Sequence, residues 1–232
     1  SAPVLNDCTL VECSSAGYLS RGGAGELTNC EISECNSHIV GIDAHGLVAQ
    51  GASTVKLRDC LIADNQGMGI FVENSLPNLG TYSSLGRNHL TGNGDLEISF
   101  SGYPGQELEA RGNEFETIAG FTLDQRVADD VLLSPVVFGG EVTSGAGSIQ
   151  GPSGLPQCYV DRDVLLISDL VIHDPSQSAP FELVISPGVR IGCLAAEEGY
   201  GVDPNDPSTV EITIDVPLTI EEMPQGIAGR TE

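Results

Sequence analysis

The feature that most constrains this chain is an imperfect repeat in its first half. Five hexapeptides resemble one another: CTLVEC, CEISEC, CLIADN, NHLTGN and NEFETI. Their first residues stand at positions 8, 30, 60, 88 and 113, so one repeat is 22 to 30 residues long. A repeat of this length with short apolar runs and Gly/Asn turns indicates a quasi-one-dimensional, stacked architecture.

Aligning the hexapeptides gives two polar columns, with an apolar column between them. The first polar column is Cys8, Cys30, Cys60, Asn88 and Asn113. The second polar column is Cys13, Cys35, Asn65 and Asn93, and the fifth hexapeptide has the apolar residue Ile118 at this position. Between them lie Leu10, Ile32, Ile62, Leu90 and Phe115, and three residues before the first column lie Leu5, Leu27, Leu57, Leu85 and Ala110. A glycine beside an apolar residue comes nine to eleven residues after the first polar column. These pairs are Gly17-Tyr18, Gly41-Ile42 and Gly69-Ile70.

These columns predict a coil of short parallel strands. Each turn of the coil, here called a rung, buries alternate residues and stacks on the next rung at about 4.8 Å. A leucine-rich repeat is excluded because its fixed run of leucines is missing. Asparagines stacked in a column can bond to one another and to turn backbone, and cysteine fills the same small slot as a compact hydrophobe. We therefore interpret both polar columns as structural ladders.

The segments SAPVLNDCTLVECSSAG, LTNCEISECNSHIVGI and LRDCLIADNQGMGIFVEN resemble the Asn/Cys-punctuated rungs of right-handed parallel β-helix proteins. The resemblance covers residues 1 to 123. It implies an all-β, right-handed parallel β-helix, or β-solenoid, of about five rungs, which we assign to residues 1–127. In that family such rungs recur in surface proteins and in polysaccharide-active enzymes.

Residues 128–232 do not continue the rung pattern and are predicted to form a second β-rich region. Apolar alternating runs occur at 164–172, 181–192 and 210–220. QCYVDRDVLLI followed by LVISPGVRI resembles the opening strands of many β-helix domains. Two alternatives remain: solenoid-like opening strands, or a small β-sandwich. In either case the region can serve as an assembly or capping module.

The charge balance limits the partners of this chain. It has 33 acidic and 9 basic residues, a net charge of −24 and a single lysine, Lys56. Such a surface repels nucleic acid and anionic lipid. No stretch is long and apolar enough for membrane insertion. The sequence starts at Ser1 rather than Met, so we expect a processed form or an excised piece. Seven cysteines in an acidic β protein favour an extracellular or cell-surface location.

The cysteines allow three chemistries. A zinc site from positions 8, 13, 30 and 35 is disfavoured, because C-x4-C is interrupted by a core aliphatic residue and later rungs replace the cysteines. Cys13 and Cys35, or Cys8 and Cys30, can form a disulfide across adjacent rungs or remain stacked thiols. Cys158 and Cys193 form a further candidate pair, which makes Cys60 the expected odd thiol.

One candidate metal site stands in DPNDPS. Asp203, Asn205 and Asp206 offer three close oxygen ligands for calcium, and the competing interpretation is a solvated Asp-Pro turn. No other cofactor is expected.

Catalytic candidates are scattered. Solenoid enzymes use clustered outer carboxylates with a cation or a bound calcium. We expect four acidic residues to face outward. Cations and histidines lie near them in sequence, but none of these residues forms a recognisable motif. The candidates are Asp43, Asp59, Asp64, Glu97, Arg58, Arg87, Arg111, His38, His45 and His89. For each we expect a solvated surface role, which disfavours an enzyme.

Two functions follow from the sequence. The first is a structural, extracellular β-solenoid protein that self-associates by stacking of subunit ends into a homopolymeric filament, or that stacks on neighbouring parts of a longer surface protein. The alternative is a carbohydrate-active or carbohydrate-binding β-helix of the lyase or hydrolase kind. An aromatic content of 5% supplies few sugar-stacking rings for the alternative.

Overall fold

The computed structural model describes residues 2–115, 123, 126–138, 141–143, 149–150, 156–160, 162–166, 170–173, 182–185, 191–193 and 212–214. The chain divides into two compact units. Unit 1 comprises Ser1–Glu116 and Asp124–Ser134, and unit 2 comprises Thr117–Leu123 and Pro135–Glu232. The division at 127/128 expected from the repeat remains a prediction.

Unit 1 is built from short strands that recur three to a rung. Rungs 1 to 5 are the turns that contain the five hexapeptides in chain order, and rungs 1, 2 and 3 each have three strands. The strands are β1 (Val4–Asn6), β2 (Thr9–Val11), β3 (Ala16–Arg21), β4 (Glu26–Thr28), β5 (Glu31–Ser33), β6 (His45–Gln50), β7 (Lys56–Arg58), β8 (Leu61–Ala63), β9 (Ile70–Glu73), β10 (His89–Thr91), β11 (Ile98–Ser101), β12 (Leu108–Glu109), β13 (Glu114–Phe115) and β14 (Val131–Leu132).

Equivalent strands of successive rungs pair in parallel. In unit 1 the strand orders are β1-β4-β7, β2-β5-β8-β10-β13 and β3-β6-β9-β11, and β12 pairs with β14. The register of the second sheet aligns one column of inward residues: Leu10, Ile32, Ile62, Leu90 and Phe115. This column and the all-β, parallel-strand coil are confirmed.

The core of unit 1 is a bundle of aliphatic columns, because each rung turns every second side chain inward. In the first sheet, Leu27 and Leu57 are fully buried. In the third sheet, Leu47, Ile70 and Ile98 are buried in register. Stacking one aliphatic side chain on another removes this surface from water with few aromatic residues, which explains how a chain with no tryptophan forms a core.

Two of the predicted columns were wrong at one rung each. Lys56 bridges Asn78, so fully buried Leu79 follows Leu57 in the first sheet, and half-exposed Leu85 does not. In the third sheet Tyr18 pairs with Leu47, so the second small–apolar pair is Gly46-Leu47 rather than Gly41-Ile42. Both errors have one cause. A loop adds residues to the rung, so the spacing from the ladder residue to the next aligned residue is not constant.

Unit 2 also contains strands in parallel pairs. Its strands are β15 (Val136–Phe138), β16 (Glu141–Thr143), β17 (Ile149–Gln150), β18 (Pro156–Val160), β19 (Val164–Leu166), β20 (Leu170–His173), β21 (Glu182–Ile185), β22 (Ile191–Cys193) and β23 (Ile212–Ile214). The pairs β15/β19, β16/β20, β18/β21, β19/β22 and β20/β23 are parallel, and β17/β18 is antiparallel. Strands three or four apart in sequence therefore pair repeatedly. That is the pattern of solenoid-like strands rather than of a β-sandwich, whose sheets are antiparallel.

Among the described residues, no helix has the length and apolar character needed to cross a membrane.

Candidate functional site

The two polar columns lie at the turns on either side of the second sheet. In front of each ladder residue the chain adopts a left-handed conformation, with φ between 51° and 55° at Asp7, Glu12, Asn29, Glu34, Asp59, Asp64 and Arg87. Gly92 and Gly112 take the same position in later rungs with φ of 65° and 66°. This bend directs the next side chain into the interior of the coil, where Asn65, Asn88, Asn93 and Asn113 are all buried.

The asparagines of the second ladder join three rungs. The Asn65 side-chain oxygen accepts a hydrogen bond from the backbone N–H of Cys35 at 3.1 Å. Its Nδ2 donates to Asn93 Oδ1 at 2.8 Å and to the Ile32 carbonyl at 3.3 Å. Each amide thus satisfies backbone groups of the preceding rung and bonds to the amide of the next, which is how a buried polar side chain becomes stabilising.

The first ladder repeats this arrangement. Asn88 accepts from Cys60 N at 3.1 Å and donates to Asn113 Oδ1 at 2.8 Å. Asn113 donates to the carbonyls of Leu79 and Ala110 at 2.9 and 2.8 Å. The predicted ladder residues therefore lie one above another in both columns.

The cysteines use the same slots with weaker bonds. Cys30 Sγ lies 3.4 Å from the Leu5 carbonyl, and Cys60 Sγ lies 3.6 Å from the Leu27 carbonyl. These carbonyls occupy the same place in the rung as the Leu79 carbonyl that Asn113 contacts. Burial raises the pKa of Cys60 to about 11, and the backbone N–H of Cys30 opposes that rise. A thiol has one weak donor, so it cannot also reach the next rung as an amide does.

Cys8, Cys13, Cys30, Cys35 and Cys60 are free cysteines in the structure. Burial raises the pKa of the Cys35 thiol to about 11, with a contribution from the neighbouring Cys13. The pairing of Cys13 with Cys35 stays a prediction, as does that of Cys158 with Cys193. Cys158 lies in β18 and Cys193 in β22, and these strands belong to different sheets.

No group of three or more metal-binding side chains occurs in the described part of the chain. Asp203, Asn205 and Asp206 lie outside it.

Glu97 was expected on the outer face, and the structure shows it buried inside the coil. Its position is that of the column Gly17, Gly46 and Gly69, since each precedes an aligned residue of the third sheet. A Cβ on Gly46 would stand 2.8 Å from Asn65 Nδ2, so glycine leaves room for the ladder amide. In rung 4 the Glu97 carboxylate instead accepts from Asn93 Nδ2 and pairs with Arg126 at 2.7 Å. The asparagine ladder thus ends in an ion pair between a buried carboxylate and a partly exposed guanidinium.

The three candidate cations are held by structural contacts. Arg58 is buried and donates to the Asn78 side chain at 2.6 Å, while burial lowers its pKa. Arg87 pairs with Asp59 at 2.7 Å. The Arg111 guanidinium lies 3.9 Å from the centre of the Tyr82 ring and pairs with Glu109. The contacts of Arg58 and Arg111 hold residues 78–82 against the coil, and that of Arg87 joins two successive rungs. Sequence spacing gave no sign of them.

The histidines are dispersed. His45 stacks on Phe71 with ring centres 5.3 Å apart and accepts a hydrogen bond from the backbone N–H of Met68 at Nδ1. Burial lowers its pKa. His89 lies 3.8 Å from Glu114, whose pKa burial raises, and His38 is exposed. Asp43 and Asp64 are exposed as expected.

A comparison with protein families assigns the first half of the chain to a family. The family described as "Right handed beta helix region" matches residues 1–128, which is more than half of the chain. The chain belongs to this family. Its rungs are therefore right-handed, as the Asn/Cys punctuation predicted. Separate comparisons with curated proteins and with solved structures gave no match.

For a right-handed β-helix protein, the ladder residues support the coil itself. From Cys30 and Cys35 onward they are buried, and the asparagines among them are bonded between successive rungs. Any contact with another molecule must therefore be made by the outer faces, the loops or the edge strands of this β-helix.

Proposed function

We propose that this right-handed β-helix protein is a structural, extracellular protein that stacks end to end on copies of itself. The observation that carries the proposal is the edge formed by rung 1. Among the described residues, β1, β2 and β3 each lie at the end of their sheet. The inward residues Leu5 and Leu10 are half-exposed there, whereas Leu27 and Ile32 of rung 2 are fully buried.

The backbone of this edge is oriented for further strand pairing. The carbonyls of Pro3, Cys8 and Ser15 accept bonds from rung 2, at Glu26 N, Glu31 N and His45 N respectively. In a planar trans peptide the N–H points opposite to the carbonyl. The N–H groups of Val4, Thr9 and Ala16 therefore point away from rung 2. A row of such groups is a template for another strand layer.

The acidic surface supports an extracellular, solvated role. A net charge of −24 keeps assembled material in solution and repels nucleic acid. Because copies of the chain carry like charge, added salt should strengthen their stacking by screening the repulsion.

The test is sedimentation velocity over a range of concentrations and salt, combined with electron microscopy. Thr9→Pro removes an N–H that points to the free edge and leaves the bond from Glu31 to the Cys8 carbonyl. We expect end-to-end filaments from the wild type, weaker association of Thr9→Pro by about tenfold or more, and no change in Thr9→Ala. A wild type that stays monomeric at every concentration contradicts the proposal, as does equal association of both variants.

A carbohydrate-active or carbohydrate-binding role remains the alternative. Asp43 and Asp64 are exposed carboxylates, but Asp59 pairs with Arg87 and Glu97 is buried. Loss of binding to acidic or neutral polysaccharides in an Asp43→Asn/Asp64→Asn variant would favour this alternative over stacking.

A further inference from the structure

Rung 2 contains an insertion that rungs 1, 3 and 4 lack. Tyr18, Ile70 and Ile98 stand five positions after the ladder residues Cys13, Asn65 and Asn93. Leu47, which is aligned with them, stands twelve positions after Cys35. Seven additional residues therefore leave the coil at this corner, and we call residues 37–43 the rung 2 loop.

The base of the rung 2 loop is fixed to the coil on both sides. Before the loop, Asn36 N donates to the Cys13 carbonyl and Ser37 N to Gln66 Oε1 at 2.7 Å. After it, Gly67 N donates to the carbonyl of fully buried Ala44. Within the loop, Ile42 N donates to the Ile39 carbonyl at 3.2 Å, which closes a turn. The coil therefore holds the tip of the loop outward.

That tip is apolar and faces solvent. Ile39 is 63% exposed, Ile42 is 47% exposed and Val40 is fully exposed. Gly41 has a φ of 81°, which favours glycine, and nothing lies within 4 Å of the place a Cβ would take. Three adjacent aliphatic side chains without intramolecular cover are unfavourable in water, and such patches mark interaction sites.

Carboxylates accompany the loop at its base. Glu12, Glu34 and Asp64 occupy the same left-handed turn position in rungs 1, 2 and 3, directly before the ladder residues from which this corner begins. Each is exposed, as is Asp43 at the end of the loop. In the described part of the chain, none of the four forms an ion pair with a basic residue. Like charges repeated from rung to rung repel, and a cationic partner surface would relieve this repulsion.

These charges argue against a second copy of the chain as the occupant. The whole chain has only nine basic residues, and Lys56, Arg58, Arg87, Arg111 and Arg126 already contact its own groups. A second copy would bring further carboxylates to the same corner. An anionic lipid surface would be repelled for the same reason.

We propose that the rung 2 loop is a docking element whose apolar tip enters an apolar pocket of a different protein, and that lysine or arginine side chains line the rim of that pocket. The aliphatic tip supplies affinity by leaving water, and the carboxylates supply orientation and rate of association. The inference does not depend on end-to-end stacking, because the loop and the free edge strands are separate surfaces.

The experiment places the photo-crosslinking residue p-benzoylphenylalanine at Val40 in the full chain, expressed in the cells that make it. The protein that crosslinks is identified, purified and titrated against three forms of the chain. These are the wild type, Ile39→Ser/Val40→Ser/Ile42→Ser, and Glu12→Gln/Glu34→Gln/Asp64→Asn. We expect the serine variant to bind about tenfold more weakly or worse. The charge variant should bind several-fold more weakly and lose most of the salt dependence of the association rate.

Two controls separate docking from damage to the fold. Because the tip residues are exposed, the serine variant should keep the wild-type circular dichroism spectrum and thermal midpoint. A crosslinker at exposed Tyr103, away from the rung 2 loop in sequence, should not capture the same protein. Crosslinks only to copies of this chain, only to lipid, or to nothing would overturn the proposal. So would a captured protein that binds the serine variant as tightly as the wild type.

Discussion

The same two ladders have a thiol part and an amide part, and the two differ in how rungs are joined. The thiol part comprises Cys8, Cys13, Cys30, Cys35 and Cys60, and the amide part comprises Asn65, Asn88, Asn93 and Asn113. Cys60 and Asn88 both direct a donor at the carbonyl of a leucine in the preceding rung, Leu27 or Leu57. Only the asparagine also donates to the next side chain of the ladder.

This difference indicates that the same buried position can accept a thiol or an amide with different effects. A thiol fills the volume beside the polar backbone of the turn, whereas an amide adds hydrogen bonds that run along the coil axis. We therefore expect the rungs of the amide part to resist local opening more than rungs 1 and 2. Native-state hydrogen exchange resolved by residue would report this gradient.

The largest expected effect is the loss of an amide from a ladder. Asn65→Ala leaves the backbone N–H of Cys35 and the carbonyl of Ile32 without their partner and opens a small cavity. We expect a loss of about 3 kcal/mol in the free energy of unfolding, measured by urea denaturation. The matched change in the thiol part, Cys35→Ala, should cost only about 1 kcal/mol. Equal costs would show that amides and thiols contribute alike.

A second test removes the ion pair at the end of the amide ladder. Arg126→Met leaves the buried carboxylate of Glu97 with Asn93 as its remaining side-chain partner. Since Arg126 is partly exposed, we expect a cost of about 2 kcal/mol rather than the larger cost of a fully buried pair. Glu97→Gly restores the glycine of the other rungs, and combining it with Arg126→Met should recover part of the loss. No recovery in this double-mutant cycle would mean that Arg126 acts independently of Glu97.

A third test replaces one cysteine of the thiol part by asparagine. In Cys60→Asn, the new Oδ1 can accept from the backbone N–H of Cys30, and the new Nδ2 can reach Leu27 O and Asn88 Oδ1. Neighbouring rungs show that asparagine fits this slot, so we expect a gain of about 1 kcal/mol in the free energy of unfolding. Cys60→Ser, which is smaller and has one donor, should not stabilise. A destabilised Cys60→Asn would show that the slots of the two parts differ in size.

The smallest expected effect concerns pH at rung 2. Burial lowers the pKa of His45 below its ordinary value, although Asp43 and Asp95 partly oppose this. The unfolded chain therefore binds the proton more readily, so His45 contributes stability at neutral pH that is lost as the pH falls below about 6.5. His45→Gln keeps an acceptor for Met68 N but does not titrate. Its thermal midpoint should fall less than that of the wild type between about pH 7.5 and about pH 5.5. Parallel midpoint curves would exclude this role.

The repeat made much of unit 1 predictable. Leu10, Ile32, Ile62, Leu90 and Phe115 align in the structure as they align in the sequence. This succeeded because a parallel coil stacks equivalent residues in register, so one-dimensional similarity becomes three-dimensional contact. The position of Leu79 and of Gly46-Leu47 was missed, because loops of variable length change the offset without disturbing the stack.

The sequence by itself determined that the chain is a coil of parallel strands, which residues form its ladders, and that its surface is strongly acidic. Only the tertiary structure decided that Glu97 faces inward to meet Arg126, and that Arg58 and Arg87 serve the fold. It alone also decided that Ile39, Val40 and Ile42 remain uncovered. The reason is that periodic positions are set by local backbone geometry. The surroundings of a single side chain depend instead on segments that are distant in sequence and that only folding brings together.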